Sequence, residues 1–370
     1  LKTGPVDLLN ETDTFELSLR ENVPLAGLTT LRVGGAARFF FEAASIESLL
    51  SGIRWAGERH LPLFILGGGS NIVVSDSGFD GLVIRICIKG IQTRITDDAA
   101  MLTAGAGQEW DSVVALCARN DWAGVECLSG IPGSVGATPI QNVGAYGQEI
   151  SETMTSLTAI DLATCEVVEM SRDECRFGYR ASRFKAEDRN RFVITGVTYR
   201  LRVGGKPLIR YGELERYLAE RGAINPSIAE TREAVIAIRR RKAMVIDPTD
   251  MNSRSVGSFF VNPVVARDEL EEIRRRAALL VADIKNMPAF PLDGDRVKLS
   301  AAWLIEHAGF ERGHARGGAG ISAKHALAII NRSQATASEV VSLAEEIRRG
   351  VGERFGVELA PEPVFVGFDA

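Results

Sequence analysis

Histidine and cysteine, the usual ligands of transition metals, are scarce in this chain of 370 residues, which holds four of one and five of the other. Cys87, Cys117, Cys127, Cys165 and Cys175 include no CxxC pair and are odd in number, so neither a zinc site nor a disulfide framework is indicated. His60, His307, His314 and His325 offer no HExxH or similar spacing, and no metal is expected. Unpaired thiols suit a reducing compartment, so a cytoplasmic location is expected. No apolar run approaches the ~18 residues of a membrane helix, and the opening LKTGPVDLLNETD has no basic or apolar signal region. No membrane partner is expected.

An excess of positive charge is missing too. The 43 basic and 48 acidic residues leave a net charge of −5, which argues against a nucleic-acid polymer as partner. GxxxxGK[ST] does not occur, which excludes a P-loop nucleotidase. Gly318-Ala319-Gly320-Ile321-Ser322-Ala323 fits GxGxxA, but an Arg/Gly loop precedes it where a dinucleotide fold needs a strand.

Apolar residues and glycine are plentiful. Hydrophobic residues make up 45% of the chain, enough for sizeable cores, and the length suggests two or three domains. Strand-like runs are ARFFF, GLVIRICIKG, RFVITGVTYRLRV and GSFFVNPVV, and LTAIDLATCEVVEM reads as a hairpin. Helical spacing appears at Ile46, Leu49, Leu50 and Ile53, with Ser45 placed as cap, and across Glu109 to Arg119. Further helices are expected from near Thr231 to the basic run Arg239–Lys242, over DELEEIRRRAALLVA, and over ASEVVSLAEEIRRG with Gly350 as its stop. Strands and helices in runs, without strict alternation, indicate an α+β protein.

Thirty-seven glycines, one residue in ten, exceed the usual ~7%. Gly67-Gly68-Gly69-Ser70-Asn71 separates two apolar runs. It reads either as a hairpin turn or as a backbone nest that approaches a phosphate, and three successive glycines exceed what a turn needs. The second cluster, Ser129-Gly130-Ile131-Pro132-Gly133-Ser134-Val135-Gly136-Ala137, continues through Gln141-Asn142-Val143-Gly144-Ala145-Tyr146-Gly147. Nearly twenty small or hydrogen-bonding residues in one loop suit a backbone laid against a large flat polar cofactor, and long irregular loops in compact domains tend to be functional.

At these clusters the sequence resembles a known family. TTLRVGGAARF, LGGGSNIVVSD, LSGIPGSVGATPIQNVGAYG, CRFGYRASRFK and GSFFVNP match, in order, signatures of bacterial UDP-N-acetylenolpyruvoylglucosamine reductase. The resemblance runs from about Thr29 to Gly367. It implies a two-part FAD-binding domain of the vanillyl-alcohol-oxidase (PCMH-like) type and a C-terminal α+β substrate domain. Tail 1–31, FAD domain 32–203 divided near 90, a Tyr loop and linker helix 204–242, substrate domain 243–356 and a C-terminal strand 357–370 are the implied divisions. The family reduces UDP-N-acetyl-3-O-(1-carboxyvinyl)-glucosamine to UDP-N-acetylmuramate with NADPH, an early step of peptidoglycan synthesis, and a monomer is implied. Some related flavin domains attach FAD through His; none lies near either glycine cluster, so FAD is expected to be non-covalent.

By the same resemblance, Arg180 in GYRASRF and Glu362 in APEPVFVGF flank the substrate carboxylate, and Ser258 in GSFF gives a proton to its α-carbon. Glu362 is expected to be protonated or to share a proton, with a raised pKa, because two unpaired carboxylates in a dry cleft repel. Gly67, Gly68, Gly69, Ser70, Asn71, Pro132, Gly133, Ser134, Gly136, Ala137, Gln141, Asn142, Gly144, Tyr146 and Arg239 are implied flavin contacts. Tyr179, Tyr211, Lys242, Asn262 and His325 are implied substrate contacts, with Tyr211 in LIRYGELERYL marking the branch that brings a Tyr over the diphosphate. Family members often read EPEVR where this chain reads APEPV, so Pro363 and Val364 supply no basic side chain there.

Overall fold

The structure is a computed structural model that describes residues 18–279, 287–292 and 294–368. Contacts divide the chain into two compact units. The first takes in the described residues up to Val23, then Ala36–Gly68 and Phe79–Ile238; the second takes in Pro24–Gly35, Gly69–Gly78 and the chain from Arg239 onward.

In the first unit, Phe79–Ile86 pairs in parallel with Ala36–Ala43 on one side and Leu63–Leu66 on the other. The parallel arrangement needs a crossover, which the helix Ile46–Glu58 provides. Ser45 caps that helix as its sequence suggests, accepting from the Ser48 amide at 3.1 Å, while Leu49, Ile53, Trp55 and Ala56 are buried. A second, antiparallel sheet runs in the order Glu166–Ser171, Met154–Asp161, Phe192–Val203, Ala99–Gly105, Ile91–Ile95. Its central strand alternates: Val197, Tyr199 and Leu201 are buried and Arg200 and Arg202 exposed. LTAIDLATCEVVEM forms the expected hairpin, turned through Cys165 at φ 58°.

The second unit is built on the helix Ala337–Phe355, with Thr336 as its cap. Val340, Leu343, Ala344 and Ile347 form the buried stripe that their spacing indicates, and Val351 and Phe355 extend it. Gly350 does not stop this helix. Its Cα faces the Phe310 ring, where a Cβ would come within 2.5 Å, and the stop is Gly356 at φ 73°.

Other boundaries also move. GSFFVNPVV is extended strand only at Val264–Ala266; Phe260 makes a single bridge to Pro361, and Pro263 has no N–H for a ladder. The helix expected from near Thr231 begins at Ile228, because Ser227 caps it by accepting from the Glu230 amide at 3.2 Å. The helix at DELEEIRRRAALLVA spans Arg267–Ala278, and the expectation beyond residue 279 lies outside the described residues, as does most of the tail. No helix among the described residues is long and apolar enough to cross a membrane.

Candidate active site

The two apolar runs around Gly67–Asn71 do not form a hairpin. Leu63–Leu66 pairs with Phe79–Ile86, whereas Ile72–Val74 pairs in parallel with Val364–Val366. The glycine stretch is thus a connection between sheets, and its two ends belong to different units.

In the first unit Gly67 and Gly68 lie directly against the second glycine cluster. A Cβ on Gly68 would stand 2.7 Å from the Gly133 Cα and 2.9 Å from its carbonyl carbon; one on Gly67 would stand 2.8 Å from Ser134 Oγ. At Gly68, where the neighbours are backbone, only a residue without a side chain permits this approach. The cluster is itself fixed from behind by three backbone bonds: Trp110 N–H to Gly133 O at 3.1 Å, Val135 N–H to Gln108 O and Gly136 N–H to Ala106 O, both at 2.9 Å. Gly136 is required by packing, since its Cβ would meet that of Ala106 at 2.6 Å. Thr138 and the fully buried Tyr199 hydroxyl hydrogen-bond at 3.0 Å beneath the loop. Pro132 and Ala137 lie in the same strip, and Gln141 follows it.

Arg180 sits at the end of that strip. Its backbone is left-handed, φ 51°, in a tight turn closed by hydrogen bonds between Gly178 and Ala181. Nη2 donates to the Gly144 carbonyl at 2.5 Å and Nη1 to that of Asn142 at 3.5 Å. Asn142 is buried and its amide is committed to the fold: Nδ2 donates to Gly178 O and Glu149, and Oδ1 accepts from Ser151 N–H. It thereby holds both the glycine loop and the Arg180 turn. Arg180 lies over the Tyr179 ring at 5.4 Å, and Tyr146 meets Tyr211 edge-on at 5.4 Å. Tyr211 is 46% exposed, and partial burial of its phenol, then the nearby Glu213 carboxylate, shifts that phenol upward.

The second unit assembles the other predicted residues. Gly69, at φ 63°, passes so close to Leu28 O that a Cβ there is excluded, and its carbonyl accepts from Thr30 N–H at 3.0 Å. Asn71 Nδ2 donates to the Glu362 carbonyl at 3.3 Å, and Glu362 N–H donates to Phe259 O at 2.8 Å. Ser258, next to Phe259, follows Gly257 at φ 80° and is half-buried. The Ser258 hydroxyl makes no hydrogen bond among the described residues. Ser70, Asn71, Ser258 and Glu362, scattered over almost 300 positions, thus converge on one strand edge.

Arg239 and Lys242, at the end of the helix Ile228–Arg241, lie near His325, whose Nδ1 accepts from Leu327 N–H at 3.0 Å. Burial, then the charges of Lys242 and Arg239, push the His325 imidazole down to about 4, so it is neutral at pH 7. Asn262 Oδ1 accepts from Ala301 N–H at 2.9 Å and so braces the start of the helix Ala301–His307. Sequence reasoning missed Glu126, Gln148 and Glu149, buried or half-buried polar residues that tie the glycine loop to its neighbours. Only the expectation that buried polar groups are paired could have flagged them, and burial is invisible in sequence.

Comparison with known proteins bears on the same residues. A family profile described as FAD binding domain matches residues 37–171, and one described as UDP-N-acetylenolpyruvoylglucosamine reductase, C-terminal domain, matches 247–366. The UDP-N-acetylenolpyruvoylglucosamine reductase of Thermobifida fusca is 46% identical over 354 residues, covering 95% of this chain and 98% of its own. The chain belongs to the UDP-N-acetylenolpyruvoylglucosamine reductase family. The enzyme of the same name from Saccharopolyspora erythraea is also 46% identical, over 92% of this chain and 94% of its own. Among solved structures, the UDP-N-acetylenolpyruvylglucosamine reductase of Thermus caldophilus superposes with a TM-score of 0.62 at 24% identity, over 94% of this chain and 99% of that one; this likeness concerns the fold.

With the family come the α+β fold expected above, a flavin domain followed by an α+β substrate domain, and FAD as cofactor. The chain is an FAD-dependent oxidoreductase that reduces UDP-N-acetyl-3-O-(1-carboxyvinyl)-glucosamine to UDP-N-acetylmuramate with NADPH, a step of peptidoglycan synthesis. The residues present fit the cofactor. Gly67, Gly68 and Gly133 bring together backbone without side chains, bordered by the Ser134 hydroxyl, which a flat polar group can approach closely.

Proposed function

We propose that Arg180, Ser258 and Glu362 are the catalytic residues of this reduction, and that the side-chain-poor strip of Gly67, Gly68 and Pro132–Ala137, together with Ser70, Asn71 and Arg239, holds the flavin. Bound FAD supplies a hydride carrier that NADPH reloads. Everything else falls to the chain's own side chains.

Hydride addition at the vinyl carbon of the enolpyruvyl ether leaves charge on an enolate that spreads into the substrate carboxylate. A fixed cation beside that carboxylate lowers the barrier most, because it is preorganised before the charge develops. Arg180 meets this requirement: two backbone carbonyls and a tyrosine ring hold its guanidinium in place. Glu362, protonated, adds a second donor. Ser258 delivers the proton to the α-carbon. An alcohol is a weak acid, but the enolate carbon is a strong base, so transfer runs downhill. A hydroxyl not tied up by the fold suits that task.

Tyr179, Tyr211, Lys242, Asn262 and His325 are assigned to the UDP-sugar, with Lys242 and Tyr211 on the diphosphate; neutral His325, whose Nδ1 accepts from Leu327 N–H, has Nε2–H left as a donor. The enzyme is taken to work as a cytoplasmic monomer with no membrane or nucleic-acid partner. The observation that carries the assignment is the bond between Glu362 N–H and Phe259 O, which holds Glu362 one residue from Ser258 although 104 positions separate Ser258 from Glu362 in sequence.

The visible spectrum of the purified protein tests the reading. Flavin bands should bleach on adding NADPH and return anaerobically on adding the enolpyruvyl sugar. Return only with oxygen would favour a flavin oxidase instead, and absence of bleaching would leave a non-catalytic flavin binder.

A further inference from the structure

Glu126 is a carboxylate with almost no exposure, 1%, and it has no part in the roles assigned above. No cation pairs with it among the described residues. Three neutral donors satisfy it instead: Oε1 accepts from Gln148 Nε2 at 2.7 Å and from Leu208 N–H at 3.2 Å, and Oε2 accepts from Gly124 N–H at 2.7 Å. Gln148 is equally buried and returns an acceptor to the Cys127 amide at 2.8 Å. A buried carboxylate is costly unless its lone pairs are filled, and once filled its charge-assisted bonds are strong and directional. Such a group fixes geometry.

What it joins is informative. Gln148 lies two residues beyond Tyr146 in the glycine loop, and Leu208 lies three before Tyr211. The two segments meet again where Arg210 Nη1 donates to Gly147 O at 3.3 Å and pairs with Glu152 at 3.1 Å, and where Tyr146 touches Tyr211. Those later contacts lie nearer the surface; Glu126 is the buried one. We infer that Glu126 is a positioning residue: its carboxylate anchors the Leu208–Tyr211 segment to the flavin loop and so sets where Tyr211 stands for the UDP-sugar. The kinetic part of this inference rests on the assignment of Tyr211 to the substrate.

Replacing the carboxylate by an amide isolates the effect. In Glu126→Gln one acceptor becomes an NH2 facing an N–H, whichever way the amide turns, so at least one bond is lost with little change of volume. Expected in the FAD-loaded enzyme are a KM for the enolpyruvyl sugar raised about ten-fold, unchanged flavin content and unchanged anaerobic bleaching by NADPH. Amide hydrogen exchange over residues 207–212 should speed up. Adding Tyr211→Ala to Glu126→Gln should raise KM no further than Tyr211→Ala alone. Leu208→Pro, which removes one donor and leaves Glu126 and Gln148 intact, should reproduce the exchange and KM changes if Glu126→Gln fails to fold.

Unchanged exchange over 207–212 overturns the inference, as does loss of FAD or equal slowing of the NADPH step. KM effects that multiply in the double variant also overturn it. If Tyr211→Ala by itself leaves KM unaltered, the substrate role of Tyr211 fails, while the exchange measurement still decides whether Glu126 is the anchor.

Discussion

The guanidinium of Arg180 and the backbone of Gly144 occupy adjoining space: Nη2 donates to the Gly144 carbonyl at 2.5 Å, and a Cβ on residue 144 would come within 2.9 Å of Nη1. The same Cβ would meet Gln148 O and Glu149 Cγ at 2.9 Å, so Gly144→Ala forces the loop to deform and takes the arginine with it. Misplacement of a reacting group by about 1 Å can cost on the order of 100-fold in rate. A loss of that size is expected in reoxidation by the enolpyruvyl sugar, with FAD retained. Stopped-flow half-reactions measure it, and a normal rate would remove Arg180 from the site.

Gly68 makes a different prediction. Its missing Cβ would strike backbone of Gly133 and Ser134 at 2.7 to 3.1 Å, and backbone cannot swing aside as a side chain can. Overpacking of this kind costs about 1–3 kcal/mol. Gly68→Ala should purify with much less flavin, read from the ratio of visible to protein absorbance. Gly57→Ala, where nothing lies within 4 Å of the new methyl, is the control and should keep its flavin.

Ser258 and Glu362 are separable by which half-reaction fails. Ser258→Ala should bleach with NADPH at the normal rate while reoxidation by substrate falls roughly 100- to 10,000-fold, the range that positioned proton transfer contributes. Equal loss in both halves would count against a proton donor. Glu362→Gln, which keeps a donor, should retain far more rate than Glu362→Ala; equal rates would refute a protonated Glu362.

His325 gives the enzyme a pH-dependent stability. Its folded value of about 4 lies below the ordinary 6.5, so between those values the unfolded chain binds the proton and the folded chain does not. Stability is therefore full above about pH 6.5 and falls as pH drops toward 4, by on the order of 3 kcal/mol across the window. Urea unfolding at pH 7 and pH 4.5 should show a smaller drop for His325→Gln than for the parent. An equal drop would mean that other groups carry it.

The sequence by itself determined the chemistry and much of the local structure. Ser45 and its capping box, the hairpin around Cys165 and the buried stripe through Ile347 follow from local spacing, because helix caps, turns and periodicity are short-range effects. The glycine clusters are legible as loops of unusual backbone, but that Gly68, Gly69 and Gly136 leave no room for a Cβ is set by the backbone of Gly133 and Leu28 and by Ala106, packed against them. Gly350 misled for the same local reason: a glycine at a plausible stop is ambiguous until its neighbour, Phe310, is known.

Only the tertiary structure decided which distant segments meet. That Gly68 lies on Gly133, that Asn71 and Phe259 both hydrogen-bond the backbone of Glu362, and that Glu126 binds both Gln148 and Leu208 are consequences of packing across tens to hundreds of residues. Burial and the pairing it enforces are properties of the folded chain, and no period or composition in the sequence encodes them directly.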